Sequence, residues 1–251
     1  MLTIQQRYFS GLGNQLFILA GGESFAHQTG RQFYIHDHYS PYSPHSVHNY
    51  YNSILKGWRQ FYRPMTATIT IDEPLEITGY IDWPEILDKN ETQDIEIHGY
   101  FQHWRYVEPI REQFTNRLCF NKDIVKKYPD ISKSFFLHVR GGDYLTWGGF
   151  VDLKHYYQKC LSMVQRNKIA VFTNDESYTK QLLDGFEYNM IRENEEDSLY
   201  LMTQCRGGIC ANSSYSWWGA YLNPNRPIFI PSKWNIDIEA YSFPGVTIVD
   251  V

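Results

Sequence analysis

The sequence predicts an α/β protein whose C-terminal half is a doubly wound parallel sheet. From about residue 134 onward, short apolar runs alternate with segments carrying apolar residues at helical spacing. That alternation is the pattern of repeated βα units, which lay strands parallel and helices against both faces. Dense polar stretches follow the ends of the predicted strands, and sheets of this kind bind ligands at the carboxyl ends of their strands. A chain of 251 residues is long enough to bury a large core, as one big domain or two modest ones.

The first half is the less regular. Leu16–Gln28 reads as a helix entered through a glycine-rich turn, and residues 32–36 (QFYIH) read as the strand after it. Strand-like runs follow at 66–71, 75–80 and 94–98, and a helix from about Trp104 to Leu118 ends the half. Between them lies SPYSPHSVHNYYN, residues 40–52, a loop rich in Ser, Pro, His and Tyr that no core requires. The boundary is expected between 119 and 133, where NKDIVKKYPDISK is polar and contains proline. This gives an N-terminal half, 1–120, and a C-terminal half, 121–251.

In the second half Ser134–His138 is a strand and Leu153–Gln165 a helix. Ile169–Thr173 is the next strand, followed by a helix from about Glu176 to Leu183. Glu187–Ile191 is a third strand and Asp197–Gln204 a helix. Gly207–Ala211 then leads into a helix from about Ser214 to Leu222, and Pro227–Pro231 closes with another strand.

Composition narrows the function. Hydrophobic residues at 43% and charged residues at 20% are ordinary for a folded soluble protein. Aromatic residues at 17% are not; they fill cores, and they also supply the flat amphipathic surfaces that cover sugar rings or bases. A net charge of −5 argues against a general nucleic-acid binder, so an anionic ligand would need locally supplied positive charge. The cysteines, at 119, 160, 205 and 210, form no CxxC pair and have no clustered histidine partner, which argues against structural zinc. Cys205 and Cys210 read as reduced core thiols rather than a bridge. The opening MLTIQQRYFSGLGNQLFILAGG lacks a basic segment followed by a long apolar one, and no run of about 20 apolar residues occurs. The expectation is a soluble protein, cytoplasmic or peripheral at a membrane.

Four polar stretches stand at the predicted strand ends. In HVRGGDY (138–144), His138 and Arg140 share one face because side chains alternate along a strand. Arg140 offers a planar fork of donors suited to a phosphate, and Gly141 and Gly142 let the backbone approach closely. Taken alone, RGGD is more often a plain turn. In FTND (172–175), Asp175 can accept two hydrogen bonds from a guanine edge, while Asn174 or Asp175 is also a good helix cap. In NSSYSWWGAYL (212–222), serines precede a helix whose N-terminus favours anions; an ordinary serine cap with Trp217 and Trp218 in the core reads as well. SGLGNQLF (10–17) is neither GxGxxG nor a P-loop, and Asn14 and Gln15 either face a ligand or cap the helix. No GxSxG, HExxH or Asp-x-Asp is present, so no metal is expected.

Together and in this order, these segments resemble glycosyltransferase family 11, the α-1,2-fucosyltransferases. The resemblance rests on GLGNQLF (11–17), HGYFQHWRYVEPIR (98–111), HVRGGDY (138–144), FTND (172–175) and DSLYLMTQCRGGICANSSYSWWGAYLN (197–223). It implies a GT-B-like fold with two Rossmann-type halves facing across a cleft. It also implies transfer of L-fucose from GDP-β-L-fucose to an acceptor glycan, α-1,2 to galactose, with inversion and with no metal or other cofactor. By motif position, Arg140 holds the diphosphate, His138, Asn174 and Asp175 lie near the guanosine, and Ser213, Ser214 and Ser216 meet phosphates. Gly11, Gly13 and Asn14 form a loop closing over the donor. Arg140, Asp143 and Asn14 are the catalytic candidates; Asp37, His36 and His38 are alternative bases. His36, His38, Tyr39 and His45 are the acceptor-binding candidates, from the composition of the loop and the strand before it. The chain departs from the family's His-x-Arg-Arg-Gly-Asp at Gly141, where a second arginine is usual. That departure leaves open another nucleotide-deoxyhexose donor, or a non-catalytic GDP- or glycan-binding homologue.

Overall fold

The computed structural model describes residues 1–5, 10–36, 50–64, 67–74, 79–90, 92–146, 148–164 and 168–251. They form two compact units, Met1–Cys119 with Glu239–Tyr241, and Phe120–Ile238 with Ser242–Val251. Each unit is built on a wholly parallel sheet, and the fold is GT-B-like.

In the first unit the strands are β1 (Leu2–Gln5), β2 (Phe33–His36), β3 (Tyr62–Arg63), β4 (Ile69–Asp72) and β5 (Ile95–His98), in the order β3-β2-β1-β5-β4. The helix α1 (Leu12–Gln28) is buried from Leu12 to Ala26 except at the half-buried Asn14, as expected of a helix that is apolar nearly all round. Helix α2 (Trp83–Asp88) is capped by Asp82, whose Oδ1 accepts from the Glu85 N–H at 3.1 Å. Trp83, Phe101 and Tyr106 pack around Phe25 with ring centroids 5.0–5.5 Å apart. Much of the aromatic surplus therefore lies inside. The helix predicted over 104–118 is divided into α3 (Trp104–Val107), a 3₁₀ turn over Glu108–Ile110, and α4 (Arg111–Arg117). Pro109 causes the break, because it lacks the N–H that an α-helix interior needs.

In the second unit the strands are β6 (Ser134–Val139), β7 (Lys168–Thr173), β8 (Asn189–Met190), β9 (Gly207–Ile209), β10 (Ile228–Pro231) and β11 (Val246–Val249). Their order, β11-β10-β9-β6-β7-β8, is the doubly wound Rossmann order. Every residue of β6 is buried, as in the centre of a parallel sheet covered on both faces. The helices are α5 (Lys154–Met163), α6 (Glu176–Leu182), α7 (Glu195–Gln204) and α8 (Ser214–Tyr221). Asn194 caps α7, accepting from the Asp197 N–H, and three acidic residues in its first turn suit the helix dipole. Trp217 and Trp218 are core residues.

Some expectations are corrected. The helix after the glycine turn begins at Leu12 rather than Leu16. The strand expected over 187–191 contracts to β8, and β1 and β11 had no periodicity long enough to announce them. Of the runs 66–71 and 75–80, the first yields β4, Gly79–Tyr80 lie outside any strand, and 75–78 fall outside the described residues.

Candidate active site

In the second unit the winding direction reverses between β6 and β9, and the chain leaves both strands at the same edge. This is where a doubly wound sheet opens to a ligand. His138 is the last but one residue of β6, with only 5% of its surface exposed, and its Nδ1 is buried without a hydrogen-bond partner. Burial, and secondarily the Arg140 guanidinium, depress its pKa from 6.5 to about 3, so it is a neutral imidazole at physiological pH. Its ring stands 5.4 Å from that of Tyr215 in the first turn of α8. Asn212, 3% exposed, donates from Nδ2 to the Tyr144 hydroxyl, while its Oδ1 is likewise buried and unpartnered. Orphaned buried polar atoms are rare in folded proteins and call for a partner; here two stand at one switch point.

Arg140 leaves the strand with its side chain 29% exposed and points Nη2 at both Asp143 oxygens, at 2.8 and 3.0 Å. Asp143 thus orients the guanidinium, which neutralises it in turn. The next two residues are tied to the neighbouring loop after β7. Asn174 holds Gly141, accepting from its N–H at 2.9 Å and donating to its carbonyl at 3.0 Å. Asp175 caps α6 through Oδ1, accepting from the Tyr178 N–H at 3.0 Å, and takes the Gly142 N–H on Oδ2 at 3.1 Å. The Tyr178 and Gly142 N–H groups hold its carboxyl below the usual carboxylate range. The capping reading of Asp175 is therefore realised.

Both glycines are dictated by this loop. A Cβ on Gly141 would lie 2.6 Å from the Asp175 Cβ, and Gly142 has φ +63°, a region that side chains disfavour. No second arginine fits at 141 unless Asp175 moves. The serines divide. Ser213 is the N-cap of α8 without a side-chain cap bond, and Ser214 opens the helix. Ser216 is fully buried, its hydroxyl donating to the Ala211 and Ser213 carbonyls at 3.3 and 3.4 Å. It braces the turn from within, whereas the phosphate expectation needs it open.

In the first unit Gly11 is the extended N-cap of α1 (φ −67°, ψ 169°), so Gly13 and Asn14 lie in the helix's first turn rather than in a loop. Asn14 Oδ1 accepts from Gln102 Nε2 at 2.7 Å, and Gln15 Nε2 donates to the Ser10 carbonyl at 3.3 Å. The segment after β5 is held by Glu73 Oε2, which takes the N–H groups of Tyr100 and Phe101 at 2.6 and 3.0 Å. Phe101 has φ +50°, a conformation costing a non-glycine residue roughly 1–2 kcal/mol. His36 lies at the same strand-end edge, with Nδ1 2.9 Å from Glu96 Oε1. Asp37, His38, Tyr39 and His45 lie outside the described residues. Glu96, Gln102, Tyr144 and Asn212 were missed by sequence reasoning; only the last three had a local signal, lying within or beside the quoted motifs. Among the described residues no group of three or more His, Cys, Asp or Glu is arranged to hold a metal ion, and no helix is long and apolar enough to cross a membrane.

Comparison with known proteins finds relatives in sequence and in fold. The chain is 31% identical over 173 residues to an α-1,2-colitosyltransferase of Escherichia coli, a match covering 59% of each chain. It is 26% identical over 165 residues to the O-antigen biosynthesis glycosyltransferase WbnK of Escherichia coli, covering 55% of this chain and 54% of that protein. The matches thus span little more than half the length of these relatives. In fold it is similar to the fucosyltransferase NodZ from Bradyrhizobium, with a TM-score of 0.57, 14% identity, and coverage of 89% of this chain and 93% of that one. The profile described as glycosyl transferase family 11 matches residues 75–241, and the chain belongs to that family.

Proposed function

We propose that this protein is an inverting glycosyltransferase that moves L-fucose from GDP-β-L-fucose to a hydroxyl of an acceptor glycan, forming an α-1,2 link to galactose. The observation that carries the reading is the switch point of the second unit. There the Arg140 guanidinium, the unpartnered Nδ1 of His138 and the unpartnered Oδ1 of Asn212 gather beside the N-terminus of α8. A cation, two buried hydrogen-bonding atoms and a helix dipole suit a nucleoside diphosphate. As the C–O bond to the diphosphate breaks, charge grows on its oxygens, and Arg140 stabilises it. The oxygens of Asp175 keep lone pairs beyond their two backbone bonds, so a guanine edge remains a fit. The acceptor is assigned to the first unit, with His36 at the carboxyl edge of its sheet.

A second donor is favoured by one observation, the 31% relative named as an α-1,2-colitosyltransferase. Colitose is L-fucose lacking the 3-hydroxyl, so both donors present GDP to the same protein groups. Thermal unfolding with GDP and with UDP, followed by GDP release from GDP-fucose and GDP-colitose with galactose-terminated acceptors, tests both readings. GDP at 100 times its Kd adds about 2.7 kcal/mol of stability. Arg140→Ala lowers turnover by about 10²–10³ while the protein stays folded. Stabilisation by UDP and not GDP overturns the donor class, and preferential turnover of GDP-colitose replaces fucose.

A further inference from the structure

Tyr80 carries its ring on the surface of the first unit, 42% exposed, yet the ring is held in place. Its centroid lies 5.3 Å from that of the buried Tyr106 and 5.4 Å from that of the buried His103. Tyr106 packs in turn on Phe25 at 5.0 Å, so the rings run in contact from the core to the surface. The Arg105 guanidinium stands 5.8 Å from the centre of the Tyr80 ring and 5.4 Å from that of the half-buried Trp104. Arg105 is exposed, and among the described residues it makes no ion pair. Topology places this cluster. Tyr80 lies between β4 and α2, Trp104 and Arg105 follow β5, and the two strands pair in parallel. Both segments therefore leave the sheet at its carboxyl edge, where sheets of this kind take their ligands. Two hydrogen bonds tie the segments together. Glu73 Oε2 accepts from the Phe101 N–H at 3.0 Å, and the Tyr106 hydroxyl accepts from the Ile81 N–H at 2.9 Å.

We propose that Tyr80, Trp104 and Arg105 form a carbohydrate-binding surface for a neutral hexopyranose of the acceptor glycan, an assignment that rests on the transfer reaction proposed above. A pyranose presents an apolar face of C–H groups and a rim of hydroxyls. The apolar face suits an exposed aromatic ring, and a ring already fixed by its neighbours loses little freedom when it binds. The hydroxyls need both donors and acceptors. Arg105 supplies a fork of N–H donors that no carboxylate takes up. Asp82 supplies an acceptor: it is exposed, its Oδ1 caps α2, and a carboxylate has further lone pairs to offer. Burial raises the pKa of the Tyr80 hydroxyl, the Asp82 carboxylate raises it further, and Arg105 opposes both. The ring thus stands between charges of opposite sign. An acidic sugar would meet Asp82 as well as Arg105, so the balance favours a neutral one.

The test is binding of lactose, N-acetyllactosamine and sialyllactose to the full chain without donor, read by saturation-transfer difference NMR. The parent, Tyr80→Ala, Tyr80→Phe and Arg105→Ala are compared, with melting curves to check the fold. The parent is expected to bind the two neutral glycans, with the strongest transfer to pyranose C–H protons. Tyr80→Ala and Arg105→Ala are each expected to weaken binding about 10-fold, while Tyr80→Phe, which keeps the ring, stays close to the parent. Should Tyr80→Ala lose its melting transition, Arg105→Ala, the truncation of an exposed side chain, carries the measurement. Affinity in either alanine variant equal to the parent's, a parent that binds only sialyllactose, or a parent that binds none of the three overturns the assignment. GDP release from GDP-fucose and GDP-colitose is followed separately. Glycan binding that depends on Tyr80 in a chain that turns over neither donor sustains the surface and overturns the transfer reading.

Discussion

Asn174 grips the backbone of Gly141 at both ends of the peptide, its amide oxygen on the N–H at 2.9 Å and its amide nitrogen on the carbonyl at 3.0 Å. The residues are 33 apart in sequence, and the contact locks the loop after β6 to the loop after β7. Asn174→Asp keeps the size but cannot donate to the carbonyl. We expect about 1–2 kcal/mol of lost stability and, on the proposed function, about 10-fold weaker GDP binding, because the loop that carries Arg140 is no longer tied to its neighbour. Denaturant unfolding and GDP titration check both; unchanged GDP affinity would remove the loop from donor binding.

Gly141→Ala tests the space that excludes a second arginine. The new Cβ meets the Asp175 Cβ at 2.6 Å, which the short Asp175 side chain cannot relieve by a rotamer change. A loss of about 1–3 kcal/mol is expected. Gly141→Arg should lower stability at least as much and should not raise turnover, despite restoring the family's charge. A faster Gly141→Arg enzyme would show that the loop accommodates the residue after all.

The His138 ring makes stability fall as pH drops. Its folded pKa, about 3, lies below the ordinary 6.5 because burial, and after it Arg140, oppose the charge. The unfolded chain therefore binds the proton more readily, and stability is complete above 6.5 and is lost progressively towards 3. The slope from this one group is up to about 1.4 kcal/mol per pH unit. Urea unfolding of the parent and His138→Gln between pH 7 and 5 should show the parent curve bending downward and the variant nearly flat; parallel curves would contradict the assignment.

Glu23 governs the stability of the first unit. Its buried carboxylate receives Arg117 Nη2 at 3.0 Å, Trp58 Nε1 at 2.9 Å and Gln113 Nε2 at 2.6 Å. Glu23→Ala leaves three donors behind and should cost about 3 kcal/mol, the low end for a broken buried pair because Arg117 retains 21% exposure. Differential scanning calorimetry should show the loss while the GDP binding proposed for the second unit is retained.

The second unit was largely legible in the sequence. Strands β6, β7 and β10 are largely apolar runs, helices carry caps such as Asn194, and the parallel, doubly wound character follows from βα repetition, whereas β8 and β11 were too short to stand out. The first unit was less so, because β1, with four residues, is too short to show a period, and Pro109 divides a helix that otherwise reads as continuous. Asp175 was legible as a helix cap, since capping needs only the following turn.

By itself the sequence determined the α/β class, the strand-end positions of its polar motifs and the family resemblance, all of which depend on local periodicity and motif order. Only the tertiary structure decided which polar atoms meet. Asn174 finds Gly141 from 33 residues away, Glu96 finds His36 from 60, and Ser216 turns inward to the Ala211 carbonyl. The reason is physical. Periodicity fixes the face on which a side chain lies, but a hydrogen bond needs its partner within about 3 Å, and the crossover connections of a parallel sheet bring such partners together from distant parts of the chain.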